Sequence, residues 1–186
     1  MNEAMFASTG EAMHQTLEAI NQVKAQSLAI KDVYRPICRD IAQNVDANRV
    51  SIWRFSEAKD AVHCQCFFDS DTDSFLSGQI LTDKEHPAYF QTILTEQFIV
   101  APDARLHSAT RELTASYFMP NGIISLLDHI IHRNFQPVGV ICCENAYERR
   151  DWTEENQSYL RQVATLISFS LETKTPHREV AAPNVA

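Results

Sequence analysis

Two apolar runs, Ile123–Ile131 (IISLLDHII) and Val138–Cys143 (VGVICC), constrain the fold more than any other feature of the chain. Both are strand-sized and rich in β-branched residues, and the polar connection from His132 to Pro137 is short enough to turn the chain straight back. They read as adjacent antiparallel strands, so the fold must contain a sheet.

A second hairpin is expected upstream. Arg49–Phe55 (RVSIWRF) and Ala61–Phe68 (AVHCQCFF) flank a polar, turn-sized Ser56–Asp60. In the second run, alternation places Val62, Cys64, Cys66 and Phe68 on one face and His63 and Gln65 on the other. Asp69–Gly78 (DSDTDSFLSG) has the composition of a solvated loop and lacks the spacing of a calcium-binding helical-hand loop. Thr82–Glu85 (TDKE) matches a capping box, although Pro87 allows a helix to begin there and run to about Glu96. Phe98–Val100 suits a short strand, and Thr110–Phe118 a short helix stopped by Pro120. Thr153 caps a last helix that opens on Glu154 and Glu155 and carries Leu160, Val163, Ala164, Ile167 and Leu171 as its stripe.

At the other end, Met13, Leu17, Ile20, Ile30, Tyr34, Ile37, Ile41 and Val45 recur at helical spacing, with Pro36 dividing the segment into two pieces. Strands in runs with helices segregated to the ends of the sequence give an α+β domain with a central antiparallel sheet. The expected divisions are an N-terminal helical segment over 1–47, the domain proper over 48–173, and an unfolded tail over 174–186.

A net charge of −8 opposes binding to phosphate backbones and anionic lipid, so nucleic acid is not an expected partner. No run approaches the roughly 20 apolar residues of a membrane span, and the N-terminus lacks a secretory signal pattern. The expectation is a cytoplasmic protein without membrane insertion. Its five cysteines, Cys38, Cys64, Cys66, Cys142 and Cys143, read as reduced, packed thiols rather than metal ligands.

The stretch from Arg49 to Leu171 resembles a GAF domain, especially those of bacterial diguanylate cyclases and sensor kinases. RVSIWRF is similar to the opening strand of that family and HPAYFQTIL to its cross-helix. APDARLHSATREL is similar to its DAR and TREL segment, and GIISLLDHII, VGVICCEN and DWTEENQSYLRQVATLIS to its closing hairpin and terminal helix. The resemblance implies terminal helices on one face of the sheet and, on the other, a ligand pocket roofed by short helices. Three specialised chemistries of the family are not expected. No cysteine lies between Phe67 and Ile141 to attach a bilin or to reduce methionine sulfoxide, and no Asn-Lys dipeptide marks cyclic-nucleotide binding.

Candidate binding residues fall in three groups. Asp103 and Arg111, with Arg105 and Glu112 nearby, suit either a clamp on a small acid or zwitterion or a tie between loop and domain. Ser125, Asp128 and Glu144 interrupt apolar strands and must be paired, exposed or aimed into a polar cavity. Trp53, Tyr89, Phe90 and Tyr117 can supply aromatic walls or simply core. No catalytic residue and no particular cofactor is indicated.

The expected function is a sensory or regulatory module that binds a small polar metabolite and relays occupancy through its terminal helices in signal transduction. The alternatives are a ligand-free scaffold for dimerisation and partner spacing, and a thiol-based enzyme. No kinase, cyclase or DNA-binding motif follows Leu171, so the chain is expected to act on a signalling partner in trans or as part of a longer receptor. A homodimer built on the first and last helices is also expected, because some of Met5, Phe6, Met13, Leu17 and Ile20 would project beyond the domain on a long helix; the alternative is that residues 1–25 fold back on their own domain or fray.

Overall fold

Antiparallel pairing organises the computed structural model, which describes residues 13–24 and 32–170. Strands β1 (Arg49–Phe55), β2 (Ala61–Asp69), β3 (Ser74–Leu76), β4 (Ile80–Thr82), β5 (Phe98–Ala101), β6 (Ile123–Arg133) and β7 (Gln136–Ala146) form one sheet. Its spatial order is β3-β2-β1-β7-β6-β5, and β4 pairs with β2 beside β3. The β6–β7 hairpin closes on Asn134 and Phe135, both at positive φ, a turn whose twist matches that of the flanking strands. Gly139 lies where β7 crosses β1, and any side chain there would collide with the Trp53 carbonyl oxygen.

Helices α1 (His14–Lys24), α2 (Tyr34–Val45) and α4 (Glu154–Ser170) cover one face of the sheet. Thr153 and Asn156 cap α4 reciprocally, each side-chain oxygen accepting the other's amide. The opposite face is roofed by α3 (Pro87–Thr95), a 3₁₀ turn over Arg111–Leu113 and a π turn over Thr114–Phe118. Ile52, Leu127, Ile141 and Cys143 pack under the helical layer, while Ile130, Val140 and Cys142 face the roof. Among the described residues, no helix is long and apolar enough to cross a membrane.

Several expectations are corrected. Asp69–Gly78 is not wholly a loop, since β3 and β4 border β2 in succession, joined through Gly78 at φ 91. Val62 does not share a face with Cys66 and Phe68. The β1–β2 register shifts between Ile52 and Trp53, which pair with Cys66 and Cys64, so Val62 joins the roof core and Cys66 and Phe68 the helical core. The opening of α3 on Pro87 is as expected, with Thr82 Oγ1 donating to Glu85 Oε2 at 2.7 Å in the turn ahead of it.

The N-terminal helices do not project. The Thr16 amide donates to Asp40 Oδ2 at 3.1 Å, and its hydroxyl donates to the same oxygen. Both residues are buried, and a continuous helix would hold them about 36 Å apart, so α1 lies alongside α2. Met13 and Ile20, expected to project, are buried in their own domain, while Leu17 is exposed. Met5, Phe6, Leu171 and the 174–186 tail lie outside the described residues.

Asp40 also accepts from Asn44 Nδ2 at 3.1 Å. Because the carboxylate gathers several buried donors, Thr16→Val should lower stability by about 1 kcal/mol and Asp40→Ala by up to about 3 kcal/mol. Urea unfolding of both variants checks this, and unchanged midpoints would remove the latch from the account of the fold.

Candidate functional site

The pleat of the three central strands aims a polar row at the roof. On β1 the alternate residues Arg49, Ser51 and Trp53 face a cavity of about 380 Å³, joined by Cys142 and Glu144 of β7 and Leu126 of β6. Phe67, Leu76 and Leu81 of β2, β3 and β4 close one side, and Tyr89, Leu113, Tyr117 and Phe118 form the roof. This volume falls in the range of about 300–1,000 Å³ usual for small-molecule sites, and so does the mix of apolar walls and a few polar groups.

Two tyrosine–carboxyl bonds fasten the roof to the sheet. Tyr117 Oη donates to Glu144 Oε2 at 2.9 Å, and Tyr89 Oη donates to Asp128 Oδ2 at 2.8 Å. Tyr89 is fixed in turn by Glu112, whose carboxylate accepts the Tyr89 amide at 2.8 Å and the Ala88 amide at 3.4 Å at the start of α3. Burial pushes both acids up to about 7. The tyrosine hydroxyls pull them back, and for Glu144 the Asp128 charge adds to the rise while Arg49 opposes it. Burial raises both tyrosines as well, so their hydroxyls stay protonated and donate.

Arg49 is committed elsewhere. Its Nε donates to Asp69 Oδ2 at 2.9 Å and its Nη1 to the Asn121 carbonyl at 2.9 Å. Burial opposes ionisation of Asp69, but Arg49 and the Thr72 and Asp71 amides outweigh it and hold the carboxyl below its ordinary range. Cys142 lies 3.7 Å from Tyr89 Oη, and burial together with the Asp128 and Glu144 charges pushes its thiol well up.

Of the candidate residues, Trp53, Tyr89, Tyr117 and Glu144 line the cavity, and Trp53 Nε1 donates to Ser51 Oγ at 2.7 Å. Asp128 sits beneath, touching the site through Tyr89. Phe90 is fully buried and packs edge-on against Phe55 and Tyr89 outside the lining. Ser125 pairs with Asn145, at the alternate position to Leu126, and so falls on the helix-covered face.

Asp103 accepts the Arg105 amide at 3.2 Å, and Arg105 Nε donates to the Ile123 carbonyl at 2.7 Å. Those contacts tie the loop to β6. Arg111 is exposed at the start of the 3₁₀ turn, and neither it nor Asp103 lines the cavity. Sequence reasoning missed Arg49, Ser51, Asp69, Gln79, Asn121 and Cys142. Counting by twos from Trp53 would have reached Ser51 and Arg49. Counting back by two from Glu144 reaches Cys142 in the same way, whereas Asp69, Gln79 and Asn121 depend on cross-strand register and on the turn before β6.

An α+β domain with terminal helices on one face of its sheet and a roofed cavity on the other defines the class. A model of the GAF domain matches residues 29–171, and the chain belongs to the GAF family. No curated protein matches it. Among solved structures it is similar to the GAF domain of the Acinetobacter phosphoenolpyruvate-protein phosphotransferase, with a TM-score of 0.66 and 14% identity over 87% of this chain and 90% of that one. It is also similar to the chromophore-binding domain of Stigmatella aurantiaca phytochrome P1, with a TM-score of 0.66 and 12% identity over 93% of this chain and 63% of that one. The phycocyanobilin-bound GAF domain of a cyanobacterial phytochrome gives a TM-score of 0.65 and 16% identity over 85% of this chain and 94% of that one. The chain thus spans less than two thirds of the Stigmatella domain. At these identities the structural likeness speaks for the fold alone.

The raised Glu144 carboxyl has a thermodynamic consequence. Between its ordinary value of 4.5 and its buried value of about 7 the folded state holds the extra proton, so stability falls as pH rises through that window. At about 1.4 kcal/mol per pH unit, the loss from Glu144 is roughly 3 kcal/mol. Glu144→Gln, which still accepts from Tyr117, should match the parent near pH 5 and exceed it by roughly 2–3 kcal/mol near pH 8. The slope that remains in the variant combines Asp128, raised to about 7, with His129, which burial lowers to about 4 and which therefore adds stability as pH rises toward 6.5. Urea unfolding at the two pH values decides, and parallel curves would exclude a titrating Glu144.

Proposed function

We propose that this GAF domain is a sensory or regulatory module that binds a small molecule between sheet and roof and relays occupancy to its helical layer, without catalysing a reaction. One observation carries the reading: a ligand-sized cavity into which a buried carboxyl, Glu144, is aimed. Packing alone gives no reason for a carboxyl there, since an apolar residue would fill the floor without desolvation. The relay is supported by the sheet itself. Glu144 faces the cavity while its neighbour Cys143 lies in the core beneath α2 and α4, so a strain on β7 acts on both layers.

Catalysis by thiol chemistry is disfavoured by the same burial. Cys142, the cavity's cysteine, is pushed away from the thiolate that a nucleophile needs. The acid-clamp chemistry expected of Asp103 and Arg111 does not enter, because neither side chain lines the cavity.

A thermal-shift screen of small metabolites should find a compound whose stabilisation grows with its concentration, by about 2.7 kcal/mol at 100 times its Kd. Ser51→Leu, which places a larger side chain on the cavity floor, should abolish that shift while retaining a cooperative transition. If no compound stabilises the parent chain, the domain acts as a ligand-free scaffold.

A further inference from the structure

We infer that the cavity is built for a small amphipathic amine, an aromatic or aliphatic body carrying one ammonium group that is received by Glu144. This assignment rests on the small-molecule reading above and adds the chemical class of the ligand. It departs from the zwitterion or small acid clamped by Asp103 and Arg111 that the sequence suggested.

The charges that line the cavity do not cancel. Arg49, Asp69 and Glu144 are its ionisable carboxyl and guanidinium groups, and Arg49 spends its charge on Asp69, the two side chains forming a close pair with little exposure. Asp69 is further held by the turn amides of Asp71 and Thr72. Glu144 is left without a cationic partner. Its Oε2 accepts from Tyr117, whereas its Oε1 has no donor among the described residues, and the side chain lines the cavity. Asp128 Oδ1, by contrast, is both sealed and without a partner, and adds a second acid beneath the floor.

The groups that face Glu144 come from the elements around it: Arg49 from β1, Cys64 from β2, Asp128 from β6, Cys142 from β7 and Tyr117 from the π turn. Arg49 supplies the positive charge among them, and it is already paired. An ammonium donates to Oε1 and supplies the missing countercharge in a site screened from water. A hydroxyl satisfies the acceptor without the charge, and a carboxylate meets Glu144 as a like charge. The walls add to the preference. Trp53, Phe67 and Phe118 present aromatic surface that buries an apolar body, and aromatic faces attract cations.

Three probes of one shape separate the alternatives: phenethylamine, phenethyl alcohol and hydrocinnamate, measured by calorimetry on the full chain. Phenethylamine should bind at least about tenfold more tightly than the other two near pH 8. Its affinity should fall roughly tenfold near pH 6, as Glu144 takes up the proton that the amine must displace. Glu144→Gln should lose that pH dependence and about tenfold in amine affinity, while a cooperative urea transition reports that the fold is intact. Equal or tighter binding of the alcohol or the acid overturns the amine assignment and leaves the small-molecule pocket standing. Failure of all three probes to bind at about millimolar concentration overturns the amine assignment, and the small-molecule reading falls with it only if the metabolite screen also finds no stabilising compound.

Discussion

The β6–β7 ladder, buried on both faces, is the constraint from which the remaining structure follows. In a strand covered on one side, polar side chains can alternate outward into water; here both directions lead into protein. The pleat sends Ile141 and Cys143 under the helices and Val140, Cys142 and Glu144 under the roof. Glu144 is held in register between Leu126 on one strand and Arg49 on the other, so its carboxyl cannot swing to solvent. A slip of one residue would bury a different row against each layer, and the exclusion of water from both faces opposes it.

Once the carboxyls are fixed, the roof is placed by what they can accept. Its elements are short, and the nine-residue α3 would not persist alone in water. Packing of Phe90, Ile93 and Phe118 supplies adhesion without direction, whereas the bonds from Tyr89 to Asp128 and from Tyr117 to Glu144 set where each roof element sits. Glu112 completes the arrangement by capping α3 at the residue that carries the first tyrosine. The height of the roof and the protonation of the floor are therefore linked, because a change at Glu144 alters the acceptor on which Tyr117 rests.

Most of the fold was legible in the sequence, and the reasons are local. The two hairpins, the opening of α3 at Pro87 and the capped α4 each rest on contiguous residues whose period or turn chemistry points one way. The division of residues 13–45 into two pieces was also readable from Pro36, but not their hairpin, which depends on Thr16 finding Asp40. Alternation failed at β2 because a register shift is a property of two strands, and one strand read alone cannot show it. The site was readable where a residue broke an apolar pattern, as Asp128 and Glu144 do. Ser125 breaks the same pattern yet faces the helices, since polarity marks an exception without giving its direction. Asp103 and Arg111 attracted attention as charged loop residues, and a charge in a loop is satisfied equally well by backbone or by water.

Glu144 and Asp128 run against the economy of the rest of the core. Each is a buried acid whose nearest neutral donor is a tyrosine, and each would be replaced without loss of shape by an amide or an apolar residue. Two other buried polar groups are absorbed into folding. Asp40 gathers donors from α1 and from its own helix, and Thr110 donates to the Ala104 carbonyl within its loop. Asp128 Oδ1 is sealed without a partner, as are Ser125 Oγ, His129 Nε2 and Asn145 Oδ1 elsewhere in the sheet, and Glu144 differs from these in lining the cavity. Where local rules of stability are broken without compensation inside the fold, the compensation is sought in what the fold binds. On the amine assignment proposed above, the missing partner of Glu144 is a donor of positive charge small enough to enter beneath Tyr117. On that proposal the domain reaches its most stable form at neutral pH only when the amine is bound, and this dependence would make occupancy of the cavity a signal.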